Sequence, residues 1–170
     1  MKLLAGVLLV VCACRVLAFG IDGRVVAVLD GDTIDVLDAA HQVYRVRLLS
    51  IDAPERGQPF GRRSKDSLSG MVAGAEVNAR CSKMEQRPTG QRSRVLCKVY
   101  RDGIDINLAQ VRAGMAWHYK AFAREQPVDE RAVYAQTEQQ ARIERRGLWV
   151  DGEPVAPWDW RRAQREGVLP

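Results

Sequence analysis

The pattern of apolar and polar positions divides the first third of the chain into short strands. Arg24 to Leu29 is rich in valine and other aliphatic residues and runs into Asp30-Gly31, a strong tight-turn signal. Thr33 to Leu37 resumes the strand pattern, His41-Gln42 falls in the next turn, and Val43 to Leu49 forms a third strand in which Val46 and Leu48 alternate with Arg45 and Arg47. Three strands joined by short turns predict a meander. The period then changes. From Arg62 to Ala73 the residues Leu68, Met71 and Val72 form an apolar stripe at helical spacing, with Gly74 as a stop.

Glu76 to Ser82 and Arg94 to Tyr100 read as two more strands, separated by a polar loop containing Pro88, Thr89 and Gly90. Asp102-Gly103 is another turn. A short helix follows from Asp105 or Ile106 to Arg112, ended by Gly114, and a long helix runs from about Asp129 to Arg146, ended by Gly147. Met115 to Arg124 carries no clear period. The tail from Leu148, with prolines at 154, 157 and 170, is expected to lie along the surface in extended form. The order β-β-β-α-β-β-α-α predicts an α+β fold, a five-stranded OB-fold β-barrel with three helices. The sequence shows no repeat and no second domain.

The N-terminus changes the compartment. Lys2 precedes an apolar run from Leu3 to Val11, too short to span a bilayer, and Val16-Leu17-Ala18 suits signal cleavage after Ala18. Val11-Cys12-Ala13-Cys14 is a weak lipobox that offers Cys14 as an alternative. The expectation is therefore a signal peptide over 1–18, a domain over 19–150 and a tail over 151–170. Export would leave Cys81 and Cys97 as the remaining cysteines, and two cysteines in an oxidising compartment are expected to pair. Removing Lys2 and Arg15 from the 26 basic residues leaves 24 against 21 acidic ones, a net charge of +3. That mild excess does not by itself imply nucleic acid. Between Arg80 and Arg101, however, seven basic residues stand against Glu85 alone.

Two acidic clusters mark strand ends: Asp30-Gly31-Asp32-Thr33, and Ile51-Asp52-Ala53-Pro54-Glu55. Either alone is an ordinary turn. A meander brings the start of the second strand near the end of the third, so Asp32 and Asp52 can converge. Converging carboxylates call for a cation, and carboxylate and carbonyl oxygens suit Ca²⁺ or Mg²⁺. No His/Cys set has zinc spacing; His41 and His118 read as surface or packing residues. Arg47, on the strand between the clusters, has the fork that binds phosphate in bidentate fashion. Carboxylates, a hard metal and arginines are the parts of a phosphodiester-hydrolysing site.

These segments carry a resemblance. "VVAVLDGDTIDV", "YRVRLLSIDAPE", "RVLCKVYRDGIDINLAQVRAGMAW" and "ARIERRGLW" occur in order from Val25 to Trp149 and resemble the staphylococcal nuclease (thermonuclease) family. The resemblance implies an OB barrel with three helices, in agreement with the element order. It implies Asp32 and Asp52 as metal-ligand carboxylates, with the backbone carbonyl of Ala53 where the family often has threonine. It implies Arg47 as the first phosphate-binding arginine and Glu55 as the glutamate assigned the general-base role. The second catalytic arginine usually follows a Tyr-Gly pair. Here the chain reads Arg92-Ser93-Arg94, which favours Arg94 by its spacing to Asp102-Gly103 and leaves Arg92 as the rival. A substrate-side tyrosine corresponds to Tyr119.

The implied activity is Ca²⁺-dependent cleavage of DNA and RNA to 3′-phosphate ends, by a monomer with no obligate protein partner and no membrane span. Two other functions compete: a non-catalytic OB module that binds single strands, and a secreted calcium-binding structural domain. The first predicts loss of the carboxylates or arginines, and the second gives Arg47, Glu55 and Arg94 no task. Trp117, Trp149, Trp158 and Trp160 are expected to serve packing rather than base stacking.

Overall fold

The structure, a computed structural model, describes residues 19–86 and 92–168. The signal and lipobox expectations, and most of the polar loop at Pro88–Gly90, lie outside the described residues.

The predicted meander is present as β1 (Phe19–Val28), β2 (Thr33–Asp38) and β3 (Val43–Leu48), followed by a two-residue β4 (Ile51–Asp52). The first strand begins five residues earlier than its aliphatic run suggests. Phe19–Arg24 pairs antiparallel with β5 (Glu76–Glu85), whereas Gly23–Val28 pairs with β2. A register shift between Val25 and Ala27 accompanies the second pairing. A bulge of this kind bends and twists a strand, which lets one strand serve both walls of a barrel. The fifth barrel strand, β6 (Arg94–Arg101), pairs antiparallel with β5 and closes in parallel onto β3, Val46 facing Val95 and Leu48 facing Cys97. The circuit β3-β2-β1-β5-β6-β3 is a closed five-stranded barrel, the OB-type arrangement that the element order predicts. Alternate residues point inward, among them Val25, Ile34, Val46, Leu48, Ala79 and Val99, all nearly or fully buried.

Between β5 and β6 the structure contains the Cys81–Cys97 disulfide. The two cysteines face each other in register, with Cα atoms 4.0 Å apart. Both belong to the buried core.

Helix α1 (Gly61–Val72) buries Leu68 and Val72, as its stripe requires. After a short β7 (Ile104–Asp105), α2 (Ile106–Arg112) starts at Asp105, whose carboxylate accepts from the Leu108 backbone N–H at 3.0 Å. The segment without a clear period supplies β8 (Trp117–His118), paired with β4, and a 3₁₀ turn over Lys120–Glu125. His118 is a packing residue, 1% exposed, whereas His41 is exposed in a turn. Helix α3 (Val128–Ile143) packs Tyr134 and Ala141 inward. No described helix is long and apolar enough to cross a membrane.

The tail departs from expectation. It is not extended: Pro157–Arg165 forms a fourth helix, α4. Proline at the first helical position needs no N–H there and its fixed φ suits a helix start, so Pro157 opens the helix. The helix docks through Trp158, whose ring lies 6.4 Å from Trp117 and 5.6 Å from Tyr119. Trp117 and Trp149 are buried edge to face at 5.2 Å, and they join Leu148, Ala156 and Trp158 in a second apolar cluster. The packing role expected of these three tryptophans is thus observed. Trp160 is half-buried.

Candidate active site

The two acidic clusters meet at one end of the barrel. Thr33 on β2 pairs with Arg47 on β3, which sets Asp32 beside the guanidinium. The Leu48 N–H donates to the Asp32 carbonyl at 2.8 Å and the Ala53 N–H to Asp32 Oδ2 at 2.8 Å, so the second cluster is hydrogen-bonded onto the first. Asp52 is held in place by β4 pairing with Trp117 of β8.

Arg47 bridges the two aspartates. Nη1 contacts Asp32 Oδ1 and Nη2 lies 2.7 Å from Asp52 Oδ1. The aspartate side chains are 3% and 0% exposed, and Arg47 is 14% exposed, so this is a nearly dry triad. Burial drives the Asp32 carboxyl up to about 7 against the pull of Arg47, with Asp30 and Asp52 adding to the rise and the Ala53 N–H opposing it. Burial also works against the Arg47 charge, but Asp32 and Asp52 outweigh it and hold the guanidinium firmly protonated.

Three residues that the sequence did not single out position this site. Gln110 on α2 donates from Nε2 to the Gly31 carbonyl at 2.7 Å and fixes the first acidic turn from behind. Ser64 on α1 donates to the Met115 carbonyl at 2.6 Å. A Cβ on Gly31 would stand 1.9 Å from Ser64 Oγ, so only glycine allows α1 to press on the turn that presents Asp32. The third is Arg161 of α4. It places Nη2 2.8 Å from Asp52 Oδ2 and Nη1 3.2 Å from Asp52 Oδ1, and Nη1 also pairs with Glu55 Oε1. Burial opposes the Arg161 charge, and hydrogen bonds to Asp52 and Glu55 overcome it. An arginine in a basic C-terminal helix has no local pattern that distinguishes it, so nothing short of the tertiary contact reveals it.

Glu55, 37% exposed, lies at the edge of the triad, its N–H donating to Gln58 Oε1 at 2.9 Å. Arg94, the first residue of β6, faces Glu85 of β5 in register and pairs with its carboxylate through Nε. A cleft of about 690 Å³ is lined by Asp30, Arg47, Glu55, Arg94, Tyr119 and Arg161 with the neighbouring strand ends. Arg94 rather than Arg92 contributes to this wall; Arg92 is exposed in the segment just before β6. The structure therefore gathers Arg47, Glu55, Arg94 and Tyr119 around one opening, with Asp32 and Asp52 beneath.

The donor set suits a hard divalent cation. Among the described residues no three His, Cys, Asp or Glu side chains converge as a metal cluster. What converges is two buried carboxylates with the Ala53 backbone held against Asp32. Oxygen donors of this kind favour Ca²⁺ or Mg²⁺ over softer metals.

The fold and site define an α+β protein of the OB-barrel class with two buried aspartates paired to arginines at one end of the barrel. Residues 45–151 match the family described as staphylococcal nuclease homologue. An Escherichia coli protein named as an uncharacterized endonuclease is 42% identical over 147 residues, covering 86% of this chain and 88% of that protein. A micrococcal nuclease of Shigella flexneri is 38% identical over 155 residues, with 86% and 83% covered. A Haemophilus influenzae protein, also named as an uncharacterized endonuclease, is 36% identical over 142 residues, with 84% and 74% covered. The chain belongs to the staphylococcal nuclease family, and the relatives above are named as nucleases or endonucleases.

Proposed function

We propose that the chain is a calcium-dependent endonuclease that hydrolyses DNA and RNA by attack of water on phosphorus and leaves 3′-phosphate ends. The observation that carries the reading is Arg47 bridging two buried carboxylates, with Glu55 beside them at the cleft edge. Asp32, Asp52 and the Ala53 carbonyl are the groups that would hold the cation, which would neutralise phosphate charge and favour attack by water. Glu55 accepts or orients the proton of the attacking water. Arg47 and Arg94 donate to the phosphate oxygens and the leaving group as charge gathers there. One such donor is worth on the order of 10²–10³ in rate. Pro54 restricts Ala53 to extended backbone, which limits the directions its carbonyl can take. The Leu3–Val11 apolar run and the Val16-Leu17-Ala18 cleavage sequence support export, and the enzyme is read as a monomer, periplasmic or released.

The test is a nuclease assay on DNA and RNA with purified protein, in excess EGTA and after Ca²⁺ is restored, with end-group analysis of the products. Chelation is expected to abolish cleavage and Ca²⁺ to restore it. Mg²⁺ should support less activity because it demands tighter octahedral geometry. Full activity in EGTA without another divalent ion would sink the metal assignment. Binding without cleavage under all conditions would favour a non-catalytic single-strand-binding module.

A further inference from the structure

We propose that Arg161 is a third phosphate-binding arginine of the site, delivered by α4 from beyond the family-matched segment that ends at residue 151. The inference rests on the nuclease reading above.

Three observations converge on it. Arg161 and Arg47 reach the same carboxylate oxygen, Asp52 Oδ1, at 3.2 and 2.7 Å, so two guanidinium groups stand side by side at the floor of the cleft. Both line the cleft, whereas Asp32 and Asp52 lie beneath them. A phosphodiester entering the cleft therefore meets the arginines first. Arg161 makes three contacts, two to Asp52 and one to Glu55, from a group that has five N–H donors. It is 33% exposed, which leaves donor capacity on the open side. Arg94, by contrast, begins from a pairing with Glu85 on the opposite wall.

The sequence around Arg161 builds this placement. Trp158 and Arg161 are three residues apart on one helical face, so docking the Trp158 ring against Trp117 and Tyr119 points Arg161 at Asp52. Gln58 ties the helix approach to the catalytic loop: its Nε2 donates to the Val155 carbonyl at 2.6 Å while its Oε1 accepts the Glu55 N–H. A tether meant only to pin the tail would not need to end on the two carboxylates at the centre of the site. Arg161 instead holds Glu55 and Asp52 in their mutual position before substrate arrives, and supplies a forked donor to the phosphate when it does.

The test compares Arg161→Lys and Arg161→Ala with Arg162→Ala, a control on the exposed side of the same helix that pairs with Asp159. Cleavage kinetics are measured at saturating Ca²⁺. Binding of a fluorescent single-stranded DNA oligonucleotide is measured in EGTA, where no hydrolysis occurs. Arg161→Lys should lower kcat by about 10²-fold, since lysine keeps the charge and loses the fork. It should also weaken oligonucleotide binding while melting as the wild type does. Arg162→Ala should match the wild type in both assays. If Arg161→Ala does not fold, Arg161→Lys decides. Wild-type kcat and oligonucleotide affinity in Arg161→Lys would overturn the proposal. So would tighter Ca²⁺ binding with undiminished kcat in Arg161→Ala, which would make the arginine a mere competitor for the carboxylates. If the wild type cleaves nothing, the nuclease reading fails separately, and oligonucleotide binding still decides whether Arg161 touches phosphate.

Discussion

Replacing Arg47 by alanine removes the cation that sits between two carboxylates of 3% and 0% exposure. Breaking a buried ion pair by deleting one partner typically costs about 3–5 kcal/mol, because a charge is left without compensation. Two features of the site set the value near the lower end, about 3 kcal/mol. Asp52 keeps Arg161 as a second partner. Asp32, driven up to about 7 mainly by burial, can take a proton near neutral pH instead of remaining charged. The second feature gives the effect a pH dependence with a definite sign. A carboxyl whose folded pKa lies above its unfolded value makes the folded state bind more protons, so stability falls as pH rises from about 4 through the folded pKa. Without Arg47 that folded pKa rises further, and the Arg47→Ala penalty should be larger at pH 8 than at pH 6. For a protein of this length about 3 kcal/mol corresponds to roughly 6–12 °C in Tm. A cation at a hundred times its Kd would return about 2.7 kcal/mol. The assay is thermal unfolding by circular dichroism at both pH values, in EGTA and in excess Ca²⁺. A Tm within about 2 °C of wild type at pH 8 in EGTA would refute the reasoning, since it would mean that Arg47 does not compensate Asp32 and Asp52 in solution.

Reducing Cys81–Cys97, which closes a loop between residues 16 apart, should cost roughly 3 kcal/mol in the chain-entropy model and lower Tm in a scan with reductant; two alkylated thiols in the unreduced protein would contradict the bridge. Arg94→Lys should reduce turnover at least about tenfold, while Arg92→Lys, at an exposed position outside the cleft wall, stays near wild type. The reverse pattern would move the second arginine to Arg92. Burial lowers the His118 pKa against the raising influence of Gln126 and Glu138. The unfolded chain therefore takes up a proton first as pH falls below about 6.5, and stability drops there. Tm measured from pH 7 to pH 5 should fall more steeply for wild type than for His118→Gln, and equal slopes would exclude His118 as a contributor.

Local pattern was enough to place most of the barrel and the centre of its site. Strand periodicity and the Asp-Gly turns mark where β2, β3 and β6 lie, because a half-buried strand must alternate and a tight turn needs particular residues. The two acidic clusters are legible for the same reason: a meander brings together the ends of adjacent strands, so Asp32, Arg47 and Asp52 become neighbours through short-range pairing. Cys81 and Cys97 could be paired on paper because they belong to one β-ribbon. Tertiary structure alone decided the rest. The N-terminal half of β1 is a strand because β5 lies beside it, a partner more than 50 residues away whose pairing no local run of aliphatics announces. Prolines 154 and 157 suggest an extended tail, yet a proline at the first turn of a helix costs nothing, and docking of Trp158 against Trp117 and Tyr119 favours the helix. Arg161 meets Asp52 across 109 residues of sequence. Its role depends on where α4 packs, and that is set by burial of an aromatic cluster whose members come from three separate elements.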